Sequence, residues 1–447
     1  MREKIFSILL MGAVAIGTAG NGDLSGATVM AAVKTGDFDK SETIEETVLI
    51  DQDDIKVTAT ELTFTNYSAD VAISIENNSS KDLNFISGSL GYSCNSVNGY
   101  MMDEGYINED VAAGKKTKTT ASFSLEELQA YGIYSIADIQ LGIYTTDDNF
   151  NETDYEPKKI ITSGAASYDY ETDTYKKSIE EGTLEELVNC KVEYWNTDQL
   201  YSQNGISIDS VALITNKDGE QSFFIEFANA SEQIVKARIS SIAINNLVLE
   251  GGTWSADMIS PEKKEISNIR LKNLLDEEYQ DLINVGGVST LSFDLTLENV
   301  DGVDITSEQT VTVNLSENPS FYEVSGTPIL ESNGIKLTEL GIVKEEKNYS
   351  YDGYHIFYAV ENETQALVYA ECDYDSLSIN DYMIDFYDFS GATPAGMTGL
   401  LRIDLHRDDA EEAGITSVED ITKIEFLFKV KDNNYNKIVE ETIVSEK

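Results

Sequence analysis

The chain has 447 residues, 41% hydrophobic and 9% aromatic, so it holds material for about three ordinary cores and is not an acidic disordered polymer. Its 31 basic residues face 80 acidic ones, a net charge of -49. That balance excludes a nucleic-acid partner or an anionic membrane surface, because both demand clustered Lys and Arg; the surplus acid serves either solubility or attraction for Ca²⁺ and cationic partners.

At the N-terminus, Arg2 and Lys4 precede an apolar run from Ile5 to Ala19, shorter than a bilayer span. The pattern predicts a secretory signal peptide over residues 1–31, with Gly17-Thr18-Ala19 and Val29-Met30-Ala31 as alternative cleavage sites. An uncleaved anchor is the other reading. No Cys stands near enough to carry a lipid. The expected location is extracellular or cell-envelope, with no membrane contact beyond the leader.

A first module is expected over 48–165. Asp53 to Phe64 opens it with an alternating strand, and DVAISIENNS (Asp70 to Ser79) follows. There Val71, Ile73 and Ile75 share one face, the period of a half-buried strand. Asn77 then caps a turn through its own side chain. SCNSVNGYMM carries another strand, with Asn95 as its marker, and VAAGKK is a turn. Ser124 to Glu127 has the spacing of a capping box, and Gly132 suits the left-handed residue that ends a short helix. Ile139, Leu141 and Ile143 alternate in a closing strand.

A polar linker over 166–195 is expected to hold a short helix around Glu180 to Asn189. The same text then returns in a module over 196–316: NGISIDSVALI, then SFFIEFANAS with Asn229, then SIAINNLVLE with Asn245, the turn ISPEKK, and a longer helix from Leu271. Residues 317–328 form a shorter linker with two of the five prolines. The third module, 329–447, repeats NGIKLTELGIV, HIFYAVENET with Asn362, LSINDYMIDF with Asn380 and TPAGMT, then a helix ending at Gly414. The fold class predicted is mainly β: three tandem β-sandwich modules of immunoglobulin-like size, each with a short helical crossover before its last strand.

This order of alternating strand, Asn-x-Ser/Thr, Gly-containing turn and closing strand resembles the immunoglobulin-like modules of exported Gram-positive bacterial envelope proteins and lipoproteins. The resemblance covers most of the chain after Val48 and implies an envelope role in binding rather than catalysis. It carries over no catalytic residue. The chain departs from the lipoprotein members in lacking the anchor Cys.

The chemistry is consistent with that. The chain has only two histidines, His355 and His406, each read as a surface or packed imidazole, and three scattered cysteines, Cys94, Cys190 and Cys372, read as lone thiols. No nucleophile elbow, zinc spacing or phosphate loop occurs, so the chain is expected not to be an enzyme. No cofactor is implied. Calcium is the one metal its oxygen-rich loops suit, with Asp147, Asp148, Asn149 and Asn151 as the leading ligands; Asp432, Asn433 and Asn434 are their counterparts, or share only a turn. Tyr349 and Tyr351, in a loop before a strand, are the candidate ligand-binding pair, because a Tyr ring is rigid and apolar with a polar tip. The reading is an exported, non-enzymatic binding or scaffold protein whose partner is an extracellular protein or glycan. The alternatives are a carbohydrate-binding module array, and a carboxylate-dependent hydrolase.

Overall fold

The computed structural model describes residues 38–87, 95–248, 253–271, 282–344 and 353–447. The expected signal peptide, Cys94, Tyr349, Tyr351 and residues 272–281 of the expected second-repeat helix lie outside the described residues.

The chain is mainly β, and one framework recurs along it. Each repeat opens with a hairpin whose turn holds two residues at positive φ: Asp53-Asp54, Asn204-Gly205 and Asn333-Gly334. That conformation belongs to the tight hairpin turn favoured by strand twist. The long strands Ser68–Asn77, Gln221–Asn229 and Gly353–Asn362 follow. Each ends on a buried Asn that does more than cap a turn. The Asn77 amide donates to the Lys81 and Val111 carbonyls, both at 2.8 Å, and its oxygen accepts from Ser79 N–H and Oγ. Asn229 and Asn362 make the same four bonds. Full satisfaction is what permits an amide to be buried there.

The second marker Asn sits three residues later in the first repeat than expected. Asn98, not Asn95, matches Asn245 and Asn380, with φ of 50, 51 and 52°. Each is the first residue of a second tight turn. Each clamps the start of the closing strand by accepting two backbone N–H bonds: from Ala137 and Asp138, from Ser289 and Thr290, and from Thr422 and Lys423. Asn95 instead donates to the Glu104 and Gly105 carbonyls and accepts from Gly142 N–H, further along the closing segment.

The helical crossover is present in the first repeat as Leu125–Ala130, where Ser124 Oγ accepts from Glu127 N–H at 3.3 Å and Gly132 takes φ +73°. In the third it is Arg407–Glu412, with Gly414 at φ +80°. The expected linker helix is two helices, Thr174–Glu180 and Thr183–Val188. Gly182, left-handed, separates them.

The chain divides into two compact units, and the second repeat contributes to both. Unit one comprises residues up to Ala237 with Ala256–Arg270 and Glu298–Thr306. It holds the four-stranded sheet Thr47–Gln52, Ile55–Phe64, Ser68–Asn77, Lys115–Ser124, in that order. It also holds a sheet in which first-repeat strand Tyr100–Met102 lies parallel to second-repeat strand Lys263–Arg270. Its core runs on from first-repeat residues such as Phe85 and Phe123 to second-repeat Phe224 and Ile266. Unit two repeats the device: Leu247–Val248 of the second repeat lies parallel to Thr398–His406 of the third. Its third-repeat core gathers Tyr354, Ile356 and Tyr358 from one strand and Phe426 and Phe428 from another, at alternating positions.

Candidate functional site

The third repeat carries a cleft of about 280 Å³. Two segments make it. After the strand Val368–Cys372 the chain turns at Asp373–Ser376, placing Tyr374 on the surface beside Asp375 at φ 59°. Beyond the Asn380 turn, strand Phe386–Ser390 pairs with Thr398–His406, in the register Tyr387 to Asp404. Alternation turns Phe386 onto the core and leaves Tyr387 exposed. His406 closes its strand, at the N-cap of the Arg407–Glu412 helix, and meets the Tyr387 ring edge-on at 5.1 Å. Asp375, Asp385 and Asp409 complete the rim, and Ile384 is the buried floor. Rigid tyrosines and an imidazole ringed by carboxylates can stack against an apolar or sugar face while accepting hydrogen bonds from it.

These residues escaped the sequence reading. Tyr374 stands in an acidic turn and Tyr387 in a short strand, with no periodicity to link them, and only the turn at Asp373–Ser376 brings them to one cleft. His406 was legible as a surface or packed imidazole; its ring contact was not. Tyr354 and Tyr358 are buried in the core. His355 is also buried, on the opposite face of their strand, with Nδ1 at 2.6 Å from Asp404 Oδ1, its cross-strand neighbour; Arg402 Nη2 donates to the other oxygen at 3.1 Å.

Asp147, Asp148, Asn149 and Asn151 lie together on a hairpin tip. Asp147 organises it: one carboxylate oxygen accepts from Asn149 N–H at 2.9 Å and Asn151 N–H at 3.1 Å, and Lys81 Nζ lies 2.8 Å from the other. Lys81 first, then the Asn151 amide, hold the carboxyl well below the usual range. Asp432 does the same for Asn434 and Asn436 at the third repeat's tip, both at 2.8 Å. In the second repeat Asn299 accepts the equivalent bonds from Asp301 and Val303. Among the described residues no three His, Cys, Asp or Glu side chains gather as a metal cage. Cys190 is a half-buried thiol whose burial pushes it up to about 12, so it stays protonated.

Unit one has its own polar centre. Lys264, on the strand beside Tyr100–Met102, bonds Asp173 and lies 3.0 Å from Glu226 Oε1. Ser210 Oγ donates to the other Glu226 oxygen at 2.5 Å, and Tyr100 OH donates to Asp173 at 3.1 Å. Burial pushes the Glu226 carboxyl up; the carboxylates around Lys264 outweigh its own burial and keep it charged. The centre ties the strand pair between the first and second repeats to the linker helix.

Among the described residues no helix is long and apolar enough to cross a membrane. No family model and no curated protein matches the chain. Among solved structures it is similar to the N-terminal periplasmic domain of ScsB from Proteus mirabilis, at 15% identity over 56% of this chain and 98% of that one, with a TM-score of 0.16. A bacterial ice-binding adhesin is similar at 9% identity over 84% and 90%, TM-score 0.13. So is the exo-chitosanase CsxA of Amycolatopsis orientalis, at 6% identity over 90% and 78%, TM-score 0.16. Scores this low carry no argument about fold, activity or partner.

Proposed function

We propose that the chain is an exported, non-enzymatic binding or scaffold protein of a bacterial cell envelope, and that the aromatic cleft of the third repeat holds its partner, an extracellular protein or glycan. One observation carries the reading: Tyr374, Tyr387 and His406 stand exposed or half-exposed around one cleft on a rigid β framework, rimmed by three aspartates. Binding residues set on loops over a stable sheet are the usual way such a framework acquires a ligand. The leader-like N-terminal text supports export.

The test is retention of envelope glycans and surface proteins on the immobilised mature chain. Y374A and Y387A should each weaken the retained interaction about tenfold, the loss expected of an aromatic anchor. Unchanged retention in the double variant, or turnover of a polysaccharide or peptide by the wild type, would overturn the reading. A glycan-only result selects the carbohydrate-binding alternative.

A further inference from the structure

Both internal junctions use one device. In the first repeat the turn Asn98-Gly99 delivers Tyr100 beside the second repeat's Lys264, and Lys264 N–H donates to the Gly99 carbonyl at 2.9 Å. In the second, Asn245-Asn246 delivers Leu247 beside Thr398 of the third, and Thr398 N–H donates to the Asn246 carbonyl at 3.0 Å. The second residue of each turn has positive φ, +90° and +73°. Each delivered strand runs parallel to the strand that receives it.

The third repeat builds the same plug. Asn380-Asp381 turns with φ of 52° and 69° and delivers Tyr382–Met383. Among the described residues only its own hairpin mate, Ser378–Ile379, pairs with it. Its side chains show the vacancy: Tyr382 is 61% and Met383 64% exposed, whereas Tyr100 is 4% and Leu247 0% exposed. The first repeat builds the matching socket. Its strand Lys115–Ser124 corresponds to Lys263–Arg270 and Thr398–His406, because Asn77 stands opposite Lys115 as Asn229 stands opposite Lys263. In the other repeats this strand is flanked on both sides; here it is the edge of its sheet. Among the described residues Gly105 N–H borders the edge only near Ser122, and no strand pairs with the outer side of Lys115 to Thr120, where Lys115, Lys116 and Lys118 are exposed.

We propose that the Asn380–Met383 hairpin of one copy docks on the Lys115–Thr120 edge of a second copy, so that chains associate head to tail by the pairing already used twice within each chain. Tyr382 lies beside Lys116 as a parallel strand, and Lys116 N–H donates to the Asp381 carbonyl. Charge favours the contact: in a chain with net charge -49, Lys115 and Lys118 stand exposed on the socket and Asp385 stands exposed beside the plug, while Lys116 and Asp381 already pair with Glu76 and Lys423. Lysines on an edge also serve to keep it solitary. In the second repeat, however, Lys264 holds the equivalent place in an edge that is covered. The contact is heterologous, plug to socket, and therefore extends beyond a dimer unless it closes into a ring. The plug adjoins the cleft, whose floor begins at Ile384 and whose rim includes Asp385, but the contact does not depend on the proposed ligand.

Sedimentation velocity of the full chain over a roughly hundredfold range of concentration tests it. The mass should rise with concentration past the dimer or to a closed ring. Y382D with M383D, both on exposed positions, removes the plug; K116P removes the donating N–H at an edge position where proline is tolerated. Should K116P fail to fold, K115E with K118E, which leaves the Lys116–Glu76 pair intact, supplies the socket variant. Each variant alone should remain monomeric with an unchanged unfolding midpoint. Their equimolar mixture should form a dimer and nothing larger, because one plug and one socket survive. A wild type monomeric throughout, association indifferent to both variants, or a mixture that stays monomeric would each overturn the proposal. Loss of cleft binding moves none of these readouts.

Discussion

Asparagine and aspartate do in this chain what hydrophobic residues alone cannot: they fix where each strand begins and ends. Asn77, Asn229 and Asn362 satisfy buried carbonyls on two segments at once, and Asn98, Asn245 and Asn380 clamp the closing strands. The hairpin tips allow a direct test of charge. Asp147 and Asn299 close the same loop by the same backbone bonds, so D147N should keep the loop and lose the Lys81 ion pair. Because the folded Asp147 carboxyl is held below the ordinary value of about 3.9, it contributes stability that is fully present above that pH and is lost as pH falls through the folded value. The wild type should therefore be modestly more stable than D147N at about pH 7, and the difference should vanish toward strongly acid pH. Urea unfolding of both proteins across that range measures it. An unchanged difference in acid would show that Lys81 and Asp147 are not coupled. The repeated Asn-x-Ser/Thr was readable in the sequence, since the residue that caps must recur. The offset of Asn98 was not, because both Asn95 and Asn98 lie near the turn and only the third dimension shows which one clamps the start of the closing strand.

At the scale of the element, the helical crossovers were legible from capping and glycine. Leu125–Ala130 begins at Ser124 and stops before Gly132; Arg407–Glu412 stops before Gly414. The two glycines share a left-handed backbone but not their surroundings. A Cβ on Gly132 would run into the Thr174 backbone carbonyl of the linker helix, whereas one on Gly414 meets nothing within 4 Å. G414A should cost only the left-handed penalty, about 1–2 kcal/mol. G132A adds a collision that the linker helix cannot relieve by moving a side chain, and should cost about 2–5 kcal/mol in total. Equilibrium denaturation of the two variants decides the matter; equal losses would mean that the linker helix shifts freely away from the crossover. The candidate cleft was less legible than the helices. Its rings come from a turn and a five-residue strand, segments too short for periodicity to single out, and their meeting depends on the register of Tyr387 with Asp404.

For the whole molecule, the decisive feature is that sheets do not stop where repeats stop. The sequence marks three repeats clearly, because each has its own opening hairpin, buried Asn and closing strand. It does not mark the junctions, since a plug of two or three residues has no periodicity and its receiving strand lies far along the chain. The consequence is that a fragment cut between repeats is left with an open edge. Residues 317–447 contain the third-repeat core but lack Leu247–Val248, so the Thr398 amide loses its acceptor, the Asn246 carbonyl, and the Thr398 end of the strand becomes an open edge while Leu401–Leu405 stay paired with Phe386–Ser390. Exchange of backbone hydrogens measures this amide by amide. In the full chain the Thr398 amide should be protected, and in the fragment it should exchange freely. The central amides of the Gly353–Asn362 strand, paired on both sides within the fragment, should stay protected and so report that the fragment is folded. The fragment should also lose about 2 kcal/mol relative to the same repeat in the intact chain, the scale of one buried aliphatic side chain. If Thr398 stayed protected in a monomeric fragment, the junction would be ornamental and the repeats independent beads. Protection that returned only as fragment concentration rose would mean that the exposed edge captures a neighbour, the behaviour expected when one pairing rule governs contacts within the chain and between chains.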